Sequence, residues 1–299
     1  MGLLEHIGEA RTTGALVTSS AEQRLRVSMQ ASLRRRIGIT DNPPPPCDDP
    51  ALAYVDPASI VRVIHSDFAS MLIGGMASLL LQSLHPLAMA GVSDHSRYRE
   101  DPLGRLERTA MFVGTTTFRT RDEAAGAIRR VRKIHSTVSG TTAEGATYDA
   151  TDPHLVAWVH IAEVRSFLSA YQRYGARTLT DDEADCYVAD MAQVALDLGA
   201  TLVPRSVAAL DAHLDAFRPE LSLSAPAREA RNFVLKGVRR APHEMATYSV
   251  LSAAAQGVLP PWARRQLHLP LLPLADRLSV QPVARLVATG IRWVMPPLS

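Results

Sequence analysis

The stretch IVRVIHSDFASMLIGGMASLLLQSLHP, residues 60–86, decides the fold class. Its apolar residues recur at spacings of three and four, the period of an amphipathic α-helix. Those residues are Ile60, Val61, Ile64, Phe68, Met71 and Leu72. Gly74 and Gly75 permit a bend or the close approach of another group, and the apolar pattern then continues to His85-Pro86, where the proline ends it. The most apolar part is shorter than the roughly 20 residues that a bilayer requires. It therefore predicts a buried core helix and no transmembrane segment.

Further helical patterns follow, each opened by a capping residue or a proline. The predicted helices begin at Asp101-Pro102, Asp122, Asp152-Pro153, the capping box Thr180–Glu183 and Val207, and they end near Gly140, Tyr174, Gly199 and Phe217. The composition of residues 225–299, rich in Ala, Leu and Pro, predicts short helices. These are broken at Pro242, Pro260-Pro261, Pro270, Pro273 and Pro282. A strand is indicated only over Thr115–Arg119. The chain is thus predicted to be all-α, a multi-helix globular bundle.

The N-terminal residues 1–46 predict an arm and a proline-rich linker. Arg34, Arg35 and Arg36 stand together, and Pro43–Pro46 favour an extended polyproline segment. The arm is a candidate for homodimer contacts. Residues 47–299 are expected to form one helical domain.

Composition excludes several function classes. The formal net charge is only +2, which gives no electrostatic case for nucleic acid. Cys47 and Cys186 lie far apart, so we expect reduced thiols in a cytoplasmic protein and no disulfide framework or thiolate zinc site. The N-terminus is no secretory signal. The motifs GxGxxG, GxxxxGK[ST], GxSxG and HExxH are absent from the sequence.

A basic helix carries the most informative histidine. Ile128, Val131, His135 and Val138 fall on one stripe at spacings of three, four and three. A neutral imidazole on such a stripe could bind a metal ion or a haem iron. From the pattern alone, a core histidine satisfied by two hydrogen bonds is the favoured alternative. Arg132, one turn earlier, either belongs to a solvated basic face or pairs with a haem propionate.

Two further groups of residues could carry chemistry. Arg105 and Thr109 share one helix face, where a guanidinium and a hydroxyl stand beside apolar surface; a salt bridge is the alternative explanation. His160 and Glu163 are three apart, a spacing found in di-iron sites, but the sequence has no second copy of the pair. Trp158 and His160 therefore fit core positions, and His85 fits either a pocket lining or a helix end.

Three segments together resemble the MpaB-like oxygenase family, which includes the latex clearing protein and other rubber oxygenases. They are GGMASLLLQSLHPLAMAGVSDHSRYREDPLGRLERT (74–109), RRVRKIHSTVSG (129–140) and TYDATDPHLVAWVHIAEVRSFLSAYQRYG (147–175). The resemblance covers about residues 55–265, in the family's order.

This resemblance implies a helical fold that encloses a pocket for haem b. It implies that His135 is the axial iron ligand and that Arg105 and Thr109 lie beside the distal face. Arg108 stands where the rubber enzyme has a lysine that approaches the iron, and arginine stays protonated and has no lone pair to give. Ser139 stands where that enzyme has an arginine, which puts rubber as the substrate in doubt.

The function implied by the resemblance is haem-dependent activation of dioxygen, with cleavage of a carbon–carbon double bond in an apolar, isoprenoid-like or lipid substrate. We expect Arg105 and Thr109 to be catalytic. The expected cofactor-binding residues are His135, Arg108, Arg132, His85 and Trp158. The alternatives are a haem-binding sensor or peroxidase-like protein without oxygenase turnover, and a cofactor-free helical interaction protein.

Overall fold

A computed structural model describes residues 22–31, 45–96, 99–237, 242–271 and 273–296. Most of the predicted N-terminal arm, with Arg34–Arg36, Pro43 and Pro44, lies outside these residues. Within them, the Cys47 amide donates to the Phe118 carbonyl and Arg119 donates to the Pro45 carbonyl. These bonds attach the chain to the body directly after the proline run.

Helices dominate the described residues, as predicted. The helices are α1 (22–31), α2 (Ile60–Ser66), α3 (Phe68–Gln82), α4 (Pro86–His95), α5 (Pro102–Phe118), α6 (Arg121–His135), α7 (Pro153–Tyr174), α8 (Asp181–Leu198), α9 (Val207–Phe217), α10 (Ala225–Lys236), α11 (Pro242–Val258), α12 (Pro261–Gln266), α13 (Pro273–Ala275) and α14 (Gln281–Val294). A 3-10 turn, Arg218–Glu220, follows α9, and a π-helical turn, Asp276–Val280, joins α13 to α14. The all-α fold is confirmed, whereas an enclosed cofactor pocket is not shown by the described residues.

The predicted continuous helix over residues 60–85 is wrong, because it breaks at Asp67. Helices α2 and α3 meet there at 89°. The Asp67 carboxylate accepts a hydrogen bond from the Ser70 amide and so caps α3. It also accepts from the Ala176 amide at 2.9 Å and from Arg292 at 3.1 Å. These acceptor roles at the helix start favour a new helix over continuation of α2.

Helix α3 packs along α7 and forms the centre of the core with it. The two helices approach closely at Gly74, where an added Cβ would lie 2.7 Å from Cδ1 of Phe167. Gly74 therefore serves close packing, and α3 runs through both glycines without a break. Leu80, Leu81 and Trp158, further along the same two helices, are fully buried.

Capping residues and prolines start most helices where the sequence predicts. Asp101 caps α5 and Asp152 caps α7, each followed by a proline. Thr180 and Glu183 form the predicted capping box of α8. The predicted breakers Pro242, Pro261, Pro273 and Pro282 stand at or next to the first residue of α11, α12, α13 and α14. Proline suits these positions because its missing N–H has no partner in the first turn.

The β structure lies elsewhere than the sequence predicts. Thr115–Arg119, the predicted strand, is the end of α5 and its cap. A small antiparallel pair forms instead from β1 (Ser139–Thr141) and β2 (Thr147–Asp149). Helix α6 consequently ends at His135 and not near Gly140. Gly140 lies against the Tyr148 ring, where an added Cβ would come within 2.5 Å of its hydroxyl oxygen.

No single helix in the described ranges is both long and apolar enough to cross a membrane. The bent pair α2 and α3 meets that test of length and composition only when counted together.

Candidate functional site

Helix α5 carries a partly uncovered apolar face formed by Leu106, which is exposed, and Val113, which is half-buried. Met111 is also exposed, but it lies about 140° away around the helix. The helix is anchored at its other end, where the Thr117 hydroxyl lies 2.7 Å from Nδ1 of buried His65. Uncovered apolar surface costs free energy in water, so such a face indicates a place for another molecule.

Three predicted site residues lie on the same part of α5. The Thr109 hydroxyl donates to the Arg105 carbonyl at 3.1 Å, and Arg105 donates from Nη1 to the Ser96 hydroxyl at 3.0 Å. Arg108 forms an exposed ion pair with Asp101 at 3.3 Å. A guanidinium and a hydroxyl thus stand one turn apart beside the uncovered apolar face, and Arg108 points to the helix start.

The His135 imidazole is half-buried at the last residue of α6. Its neighbour Ile134 is 60% exposed. Burial lowers the pKa of His135, so the ring is neutral near pH 7. Within the part of the chain that the structure describes, neither ring nitrogen makes a hydrogen bond. A neutral imidazole in this condition can give a lone pair to a metal centre.

Arg132 lies one turn before His135 and is exposed. Its guanidinium donates to the Asp197 carbonyl at 3.1 Å, at the end of α8. This contact joins α6 to α8, and the structure shows no contact between Arg132 and the α5 residues named above.

His85 and Trp158 belong to a different cluster. The His85 ring lies 6.0 Å from Trp158 and 6.3 Å from Phe217. Nε2 of His85 is 3.3 Å from Glu220, and that carboxylate also contacts His154 at 2.9 Å. Burial lowers the pKa of His85, although Glu220 acts in the opposite direction. Among the described residues, no contact of this cluster reaches His135.

The sequence assigned no role to His154 or Glu220. Glu220 lies in the 3-10 turn after α9, 66 residues beyond His154 and 135 beyond His85. No local spacing pattern connects such distant positions. The aromatic residues Trp158, near His154, and Phe217, near Glu220, were the only sequence features close to these two positions that could indicate a site.

His160 and Glu163 lie within the core face of α7. The pKa of His160 is lowered to about 4 by burial, and that of Glu163 is raised to about 7 by burial. Glu163 is half-buried. Among the described residues no second His/Glu pair stands opposite, so the core interpretation of this pair is retained.

The chain matches one family model, described as "ER-bound oxygenase mpaB/B'/Rubber oxygenase, catalytic domain", over residues 62–293. No curated protein and no solved structure gives a significant match. The matched range contains α2 to α14 almost completely, and with them all the predicted site residues.

Proposed function

We propose that this chain, which belongs to the family of mpaB and rubber oxygenase catalytic domains, is a haem b-dependent oxygenase that acts on an apolar substrate. The family is one of oxygenases, so an oxidoreductase is the class of enzyme that it supports. Haem b, the substrate class and the residue roles are our proposal. The half-buried imidazole of His135, without a hydrogen-bond partner among the described residues, is the observation that carries it.

The neutral imidazole of His135, unpartnered among the described residues, is the observation that favours a haem. In this proposal His135 would hold the iron through one ring nitrogen, and the apolar face of α5, with Leu106 and Val113, would contact the porphyrin or the substrate. Haem supplies activation of dioxygen when it is bound. Arg108 on α5 and Arg132, one turn before His135 on α6, are the cations proposed to pair with the propionates. Each would exchange its present contact, to Asp101 or to the Asp197 carbonyl, for a charge-assisted bond.

Arg105 and Thr109 would act as hydrogen-bond donors beside the apolar face. The Arg105 guanidinium stays protonated at all accessible pH values, so it supplies a fixed positive charge. The Thr109 hydroxyl can turn from the Arg105 carbonyl to another acceptor at the cost of one hydrogen bond. In this proposal both groups orient polar atoms of the reactants while the apolar residues exclude water. The homodimer and the cytoplasmic location that the sequence indicates stay predictions.

The experiment is the visible spectrum of the purified protein and of the variant His135→Ala. We expect a Soret band in the wild type and its loss or large displacement in His135→Ala, with partial recovery on adding imidazole. Lys133→Ala is the matched control, because Lys133 is an exposed residue two positions earlier on the same helix. An unchanged haem content and an identical spectrum in His135→Ala would refute axial ligation.

Oxygen uptake with an unsaturated lipid or terpene separates the oxygenase from a haem protein without turnover. For Thr109→Val we expect about tenfold slower uptake, which corresponds to about 1.4 kcal/mol for one lost hydrogen bond. Thr109→Ser keeps the hydroxyl and is expected to keep the rate. Reversible ligand binding without oxygen uptake would favour a sensor, and a colourless folded protein from haem-replete cells would favour a cofactor-free role.

A further inference from the structure

Three elements that are distant in sequence bring one side chain each to a common point. His85 stands at the corner between α3 and α4, His154 in the first turn of α7, and Glu220 in the 3-10 turn after α9. The Glu220 carboxylate lies 3.3 Å from Nε2 of His85 and 2.9 Å from Nε2 of His154. The three ligand atoms all lie within 4.8 Å of one another.

These separations suit a common ion. Donor atoms about 2.1 Å from a tetrahedral zinc ion are about 3.4 Å apart. The two separations that involve Glu220 therefore need only about half an ångström of adjustment or less, and the two imidazole nitrogens lie within 4.8 Å of each other. Two imidazoles and one carboxylate are a donor set found in catalytic zinc sites, where water takes the fourth position. The exposure of His154 (53%) and Glu220 (43%) leaves that position open to solvent.

The surroundings hold the ligands in place. The Phe217 ring stacks on His154 at 4.5 Å, and Trp158 lies 5.1 Å from Phe217. His85 is 2% exposed and is followed by Pro86, which restricts its backbone. The Ser222 amide donates to the Leu84 carbonyl at 2.8 Å, which ties the segment after Glu220 to the residue before His85.

The charges nearby also favour a cation. Glu220 and Asp152 are the acidic groups that act on His85. The closest cation along the chain, Arg218, pairs with Asp215 at 3.4 Å and lies 5.5 Å over the Trp262 ring. No described cation is therefore paired with Glu220 except the two histidines when they are protonated.

We propose that His85, His154 and Glu220 bind a divalent transition-metal ion of the zinc type, with water in the fourth position. The site is separate from the oxygenase centre proposed at α5 and α6. Its occupation would fix the start of α7 against the α3–α4 corner and the 3-10 turn. The competing explanation is a pair of His–Glu hydrogen bonds with no ion.

The test is calorimetric titration of chelator-treated, full-length protein with zinc chloride, followed by the absorption spectrum with cobalt(II). We expect one ion per chain, a rise in Tm with zinc concentration and an intense visible cobalt band typical of tetrahedral coordination. Glu220→Gln and His154→Ala should each weaken binding by at least about tenfold, since even outer-shell partners of metal ligands contribute that much. Both residues are exposed, so these variants should fold.

The matched controls are Asp215→Asn and His213→Ala, which change an acid and a histidine on α9 outside the cluster. Both should bind zinc as the wild type does. Absence of saturable binding, or equal affinity in all four variants, would overturn the proposal. The Soret band of each variant is recorded as well: the metal site and the haem are independent, so either can fail without the other.

Discussion

Glu163 is a carboxyl group placed where its ionisation opposes folding. Burial raises its pKa to about 7, from 4.5 for an exposed glutamate. Glu163 makes no hydrogen bond to the described residues. The charge of its carboxylate contributes to raising the pKa of buried Tyr187. A folded-state pKa above the unfolded one means that the folded state binds the proton more tightly. The stabilisation of the folded state that results is complete below pH 4.5 and is lost as the pH rises through 7.

Glu163→Gln should therefore become the more stable form as the pH rises. Relative to the variant, the wild type should lose up to about 1.4 kcal/mol of unfolding free energy per pH unit between pH 5 and 7. Urea unfolding of both proteins at pH 5, 6, 7 and 8 measures this difference. Glu144→Gln, an exposed acid in the β1–β2 turn, should follow the wild-type profile. A difference between Glu163→Gln and wild type that stays constant with pH would contradict the prediction.

Individual residues differ in how far the sequence indicates their roles. The stripe through Ile128 and His135 is visible in the sequence because helix period alone determines it, and Ile128 is buried while His135 is half-buried. The contact of Glu220 with His85 depends on how α9 packs on α7. Tertiary packing of this kind leaves no pattern in local spacing.

At the scale of elements, the packing of α3 on α7 depends on the absence of a Cβ atom at Gly74. A Cβ added at Gly74 would meet Phe167 at 2.7 Å and 3.0 Å, and the second of these contacts is with the Phe167 backbone. A Cβ added at Gly75 would lie 4.0 Å from the same ring, which is ordinary van der Waals contact. Neighbouring glycines on one helix thus have opposite tolerance for a methyl group.

Gly74→Ala should lower the unfolding free energy by about 1–3 kcal/mol, because overpacking forces the helices apart. Gly75→Ala is its matched control. It should be neutral or stabilise by up to about 1 kcal/mol, since alanine loses less backbone entropy in a helix than glycine does. Chemical denaturation of the two variants checks this pair. Equal effects at both positions would show that the close approach at Gly74 does not limit packing.

Helix starts are predictable from the sequence to the extent that local chemistry decides them. Asp101-Pro102, Asp152-Pro153 and Thr180–Glu183 act through bonds within one turn, so the sequence contains all the necessary information. The end of α6 at His135 depends instead on the pairing of β1 with β2, which lies outside the helix. The break at Asp67 similarly depends on partners from α14 and from the residue after Gly175.

At the scale of the whole molecule, Asp67 joins distant parts of the chain. Its side chain is 1% exposed, and it accepts hydrogen bonds from Ser70, Ala176 and Arg292. Arg292 on α14 also donates to the Tyr174 carbonyl at 2.8 Å. The corner between α2 and α3, the end of α7 and the C-terminal helix therefore meet at one carboxylate. The family match ends at residue 293, so this junction lies within the matched range.

Asp67→Ala should lower the unfolding free energy by about 3–5 kcal/mol, because it leaves a mostly buried guanidinium and two N–H groups without their acceptor. Asp215→Ala, which breaks the exposed pair with Arg218, should cost no more than about 1 kcal/mol. Urea unfolding gives both values. Removing Arg292 as well should cost less than the sum of the single changes, since the two side chains share one interaction. If Asp67→Ala cost no more than the surface change, α14 would be held by its apolar contacts and by its hydrogen bonds to α7 carbonyls such as that of Tyr174, and the carboxylate would serve only to cap α3.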